Sequence, residues 1–84
     1  MAAKINPQLD EAIKHIIQQD KLLTDKSKLL MDLSLINDEN IPNSKKIASF
    51  ESLIKYISYL PKWDDELIEY LGNRFTQIKV REIE

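Results

Sequence analysis

The chain has 84 residues, 43% of them hydrophobic and 31% charged, with a formal net charge of −2, one histidine and no cysteine. That size makes one domain with a thin core, stable by about 4–12 kcal/mol. The composition excludes disulfides, thiol chemistry and polybasic or acidic tails; residues 1–42 carry five bases and seven acids, residues 43–84 seven of each.

Three prolines (Pro7, Pro42, Pro61) and a single glycine (Gly72) separate apolar stretches of helical period. Proline fits a helix's first turn and is excluded from its interior; glycine is favoured just past a helix end. The first segment opens at Asn6-Pro7, with Asn6 as cap and Asp10 and Glu11 near the positive end of the helix dipole. Leu9, Ala12, Ile13, Ile16 and Ile17 form one stripe, which predicts a helix over about 7–21 with His15 off the stripe.

The second segment is predicted over 25–36, capped by Thr24 or Asp25. Leu29, Leu30, Leu33 and Ile36 form one face, while Met31 and Leu35 point roughly the other way. The turn-forming cluster Asn37-Asp38-Glu39-Asn40 ends it.

The third segment, over 44–60, follows Pro42 with Asn43 or Ser44 as cap. Ile47, Phe50, Leu53, Ile54, Ile57 and Leu60 share a face; Tyr56 and Tyr59 lie on another, beside Ser49 and Ser52. Pro61 requires an end near Leu60. The fourth segment is predicted over 63–71, with Asp64 as cap and Trp63 and Ile68 as a hydrophobic staple.

The tail supports two readings. Gly72-Asn73 resembles a C-cap, after which Ile78-Lys79-Val80-Arg81 alternates like a short strand on a loosely attached 76–84 segment. Alternatively, Leu67, Leu71, Phe75 and Ile78 continue a helical stripe through Gly72, at a cost of about 1 kcal/mol relative to alanine. The break at Gly72 is the preferred reading. The fold class is therefore all-α, a small four-helix bundle in one domain, 1–84.

Chemistry is sparse. A Ser–His pair would need His15 as base, and no nucleophile elbow positions a serine. A lone glycine cannot cradle phosphate. Asp64, Asp65, Glu66 and Glu69 suit a helix N-terminus better than a metal site. No catalytic, cofactor or metal residue is assigned, and no enzyme activity is expected. No signal-peptide core or run of about 20 apolar residues is present, so a cytoplasmic protein without membrane insertion is expected. Ten lysines against two arginines, with twelve isoleucines, suggest an AT-rich genome, bacterial or phage.

All six aromatics fall within residues 50–75. Tyr56, Tyr59, Trp63 and Tyr70, with Met31 and Leu35 on the second face of segment two, are the candidate protein-binding residues, because Tyr and Trp are enriched where chains meet. The same residues would serve as core if the middle helices have neighbours on two sides. The leading expectation is a non-enzymatic regulator occupying a larger protein, of the inhibitor, immunity, antitoxin, antiholin or anti-sigma type. Two alternatives stand beside it. One is a DNA-binding regulator using Lys45, Lys46, Lys55 and Lys62, with Ser49 and Ser52, in a helix-turn-helix, although the net charge argues against nucleic acid. The other is a homo-oligomeric structural protein, a homodimer through segment two or the tail.

Overall fold

The computed structural model describes residues 5–60 and 65–83, with side chains described through Lys79. Among the described residues four helices follow in order: α1 (Pro7–Gln19), α2 (Lys26–Ile36), α3 (Ile47–Ser58) and α4 (Asp65–Ile83), with a 3-10 turn (Asn43–Lys45) leading into α3. Each helix packs on its two neighbours in a ring, α1 on α2 and α4, α3 on α2 and α4. The start of α1 lies against the end of α2, and the start of α3 against the second half of α4, so neighbours run in opposite directions. The chain is an up-down-up-down four-helix bundle, and short connections favour that antiparallel order.

Local signals explain the ends. The Asn6 side chain accepts from the amides of Gln8 (3.0 Å) and Leu9 (3.4 Å), and Pro7 occupies the first turn. The helix stops at Gln19, two residues before the expected 21. There Asp20 Oδ1 accepts from the Leu22 amide at 3.0 Å, a local turn that competes with helical bonding. At α2, Asp25 holds the cap position without a side-chain cap bond. The expected Asn43 or Ser44 cap of α3 is replaced by the 3-10 turn. The Lys45 and Lys46 amides bond to the carbonyls of Pro42 and Asn43, and α3 begins only at Ile47. It ends at Ser58, close to the limit set by Pro61. The Trp63–Ile68 staple and the Asp64 cap fall outside the described residues.

The preferred break at Gly72 is overturned. α4 runs through it to Ile83 as one helix, and residues 76–83 are helical, not a strand. Packing is the reason. Leu71, Arg74, Phe75 and Ile78 continue the inward stripe of Leu67, and Phe75 stacks on Phe50 with ring centroids 6.0 Å apart. An aromatic pair contributes about 0.5–1.5 kcal/mol beyond its buried area, which with that area outweighs a glycine penalty of about 1 kcal/mol.

The core is Ile13 and Ile17 from α1, Leu29, Leu33 and Ile36 from α2, Phe50, Leu53 and Ile57 from α3, and Leu67, Tyr70 and Leu71 from α4. These positions lie on the predicted stripes, with Tyr70 the exception.

Candidate protein-binding surface

Two aromatic rings and a turn build one end of the bundle. Tyr56 and Tyr59 are three residues apart at the end of α3, so they sit side by side along its surface. The α1–α2 connection reaches the same end, because the Tyr56 hydroxyl donates to Asp20 Oδ2 at 2.8 Å. That bond holds the Asp20 carboxyl below its ordinary value, and burial together with the Asp20 hydrogen bond pushes the Tyr56 hydroxyl up. Tyr56 is thereby locked in place and half-buried, while Tyr59 is 75% exposed and Leu22, in the α1–α2 turn, 93%.

Tyr56 borders two open grooves. One, of about 380 Å³, is lined by Leu23, Leu29, Lys55 and Tyr59 among others. The second, of about 500 Å³, is lined by His15, Ile16, Leu22 and Leu60 among others. Asp25, Lys28 and Lys55 edge the first, Asp20 and Lys21 the second. Both grooves thus combine apolar side chains with charges of both signs, a mixture common in protein contacts.

The remaining candidates are dispersed. Met31 is 70% exposed on the outward face of α2, where it lines a third groove of about 410 Å³ with Leu30, Ser34, Leu35, Asp38 and Ile41. Trp63 and Lys62 lie outside the described residues. Tyr70 corrects the expectation: it is a core residue, 9% exposed, with its hydroxyl engaged inside the molecule.

That hydroxyl belongs to a buried polar network the sequence did not reveal. Tyr70 donates to Asp10 Oδ1 at 2.8 Å and accepts from the Asn6 amide at 3.0 Å and from Arg74 Nη1 at 3.2 Å. Arg74 also donates to Asn37 Oδ1 and to the Ile36 carbonyl, each at 3.0 Å. Asn37 Nδ2 donates to Asp10 Oδ2 at 3.3 Å. Arg74 and Asp10 are 3.8 Å apart, so tyrosine and asparagine carry the hydrogen bonding between the two charges. The guanidinium lies over the rings of Phe50 (5.2 Å) and Tyr70 (5.5 Å). Burial raises the Tyr70 hydroxyl, opposed by the Asn6 N–H and by the Arg74 charge. The network staples α1, α2 and α4 together. Every member is spent on the fold, so it offers a ligand little.

The basic residues proposed for DNA divide. Lys45 and Lys55 are exposed, whereas Lys46 is buried at 8% and Ser49 at 6%. Ser49 Oγ donates to Asp32 Oδ1 at 3.0 Å, which turns it towards α2. The expected Lys45–Lys46–Ser49–Ser52 reading face is therefore not a single exposed surface. Among the described residues no group of three His, Asp or Glu side chains could hold a metal ion, and no helix is long and apolar enough to cross a membrane. Comparison of the chain with protein-family models, with curated proteins and with solved structures gives no match.

Proposed function

We propose that this chain is a non-enzymatic binding module that acts by occupying a larger protein, and that Tyr56, Tyr59 and Leu22 form the centre of its contact surface. The observation that carries this reading is the end of α3. A fixed, half-buried tyrosine stands beside one that is 75% exposed, next to a leucine that is 93% exposed, with apolar grooves on both sides. Tyrosine binds with little loss of side-chain entropy, and contact energy concentrates in such residues when a ring of mixed charge excludes water around them. Tyr56 stands on α3 and is held by its bond to Asp20, which lowers the ordering cost of association at that residue.

The test is co-purification from the source cell with the wild-type chain and with a Leu22→Ser/Tyr59→Ala variant. Both positions are exposed, so the variant should keep its circular dichroism. A protein retained by the wild type and lost by the folded variant supports the reading. A specific partner held equally well by both would place the contact elsewhere.

A further inference from the structure

We propose that the outward face of α2 pairs two copies of this chain, antiparallel about a twofold axis, and that the face is self-complementary. The stripe is Lys28, Met31, Leu35 and Asp38, at sequence steps of three, four and three; Leu35 is partly buried and the other three are exposed. Such spacing keeps Lys28, Met31 and Leu35 on one side of α2, and Asp38, two residues past its end, lines the same groove as Met31 and Leu35. Met31 is 70% exposed, and Leu35 lines the open groove beside it. An apolar pair thus occupies the centre of a face with a lysine at one end and an aspartate at the other.

The stripe is a palindrome in chemistry. Met31 and Leu35 are centred on residue 33, and so are Lys28 and Asp38. In a twofold contact each residue meets its mirror position in the other copy. Antiparallel pairing therefore sets Met31 against Leu35 of the second copy and Lys28 against its Asp38, twice over. Parallel pairing would set lysine beside lysine and aspartate beside aspartate.

The end groups suit this role. Asp38 Oδ1 accepts from the Asn40 amide at 2.9 Å, which orients the carboxylate and leaves Oδ2 for an incoming cation. Lys28 is exposed and lines its groove with Asp25 and Lys55, so an acid from a second chain meets two lysines and one aspartate there. Exposed ion pairs contribute little binding energy, so the apolar centre holds the pair and the charges choose its direction. The stripe is about 15 Å long, which makes a contact smaller than the standard interface, so the pair is weak and comes apart on dilution. Met31, Leu35 and Asp38 lie apart from the Tyr59 groove, whereas Lys28 lines it.

Sedimentation and light scattering on the full chain test it. At about 0.5 mM the mass should approach twice 9.8 kDa. Met31→Asp should remain monomeric with unchanged circular dichroism. Lys28→Asp and Asp38→Lys should each weaken pairing, and an equimolar mixture of the two should pair at least about tenfold more tightly than either alone, because both ends then match. If Asp38→Lys loses helicity with its Asn40 contact, Lys28→Cys replaces it. In the antiparallel pair the two introduced thiols sit about 15 Å apart, too far for a disulfide. A monomeric wild type at that concentration, a dimeric Met31→Asp, a mixture no tighter than its components or a ready disulfide between two Lys28→Cys chains would each overturn the proposal.

Discussion

Replacing Arg74 with methionine tests the energetics of the buried network. Arg74 donates to the Ile36 carbonyl, Asn37 Oδ1 and the Tyr70 hydroxyl, with its side chain 8% exposed. A hydrogen bond to a charged group contributes about 1.5–3 kcal/mol net, and a buried acceptor left bare costs about 1–3 kcal/mol. Methionine keeps most of the apolar stem, fills much of the space and removes a desolvated charge, all of which offset the loss. The expected net destabilisation is about 2–4 kcal/mol, a large part of the roughly 4–12 kcal/mol typical of a domain this size. At about 4–8 °C per kcal/mol the melting temperature falls by roughly 8–32 °C. Urea unfolding followed by circular dichroism at neutral pH measures it, in a cycle with Asp10→Asn and the double variant. A coupling of at least about 1 kcal/mol is expected, because the two charges share Tyr70 and Asn37. Arg74→Met within about 0.5 kcal/mol of wild type would refute the view that this network holds α1, α2 and α4 together.

Gly72→Ala should stabilise the chain by up to about 1 kcal/mol in the same urea assay, since Gly72 lies within α4, has no positive φ, and an added Cβ meets nothing within 4 Å. A loss of stability would show that α4 does not run continuously through position 72. Tyr59→Ala should change stability by less than about 0.5 kcal/mol, because the ring is 75% exposed; a loss above about 1.5 kcal/mol would make it core. The Tyr56–Asp20 bond predicts pH dependence with two limbs. Asp20 is lowered in the fold, so its contribution is full above the ordinary aspartate range and lost as pH falls through the lowered value. Tyr56 is raised, so its contribution is full below about pH 10 and lost as pH rises through the higher folded value. Tyr56→Phe should flatten both limbs in urea midpoints measured across pH; unchanged limbs would assign them to other groups.

The part of the site readable from sequence was its residue types and not their grouping. Tyr56 and Tyr59 stand off the Phe50–Leu53–Ile57 stripe because three-residue spacing and helical period say so. Their nearness to Leu22 depends on how α1 and α3 come together, which no local pattern encodes. Tyr70 and Arg74 were harder to read. A tyrosine and an arginine four apart on a helix look like surface residues until Asp10 and Asn37, 60 and 37 positions away from their respective partners, supply the bonds that let them enter the core. Buried polar side chains follow the supply of partners, and that supply is long-range.

The sequence alone determined the helices and their inward faces. Pro7, Pro42 and Pro61 constrain φ and remove a donor wherever they stand, Asn6 caps through its own side chain, and isoleucine and leucine at helical spacing must hide from water in any arrangement. Tertiary structure alone decided the rest: that α4 passes through Gly72, that Tyr70 and Arg74 turn inward, that Lys46 and Ser49 are buried, and that Met31 stays uncovered. Each of these turns on a comparison between a local preference near about 1 kcal/mol and the packing or hydrogen bonding of residues distant in the chain. Where the distant partner is Phe50 for Phe75, or Asp10 for Tyr70, the local preference loses.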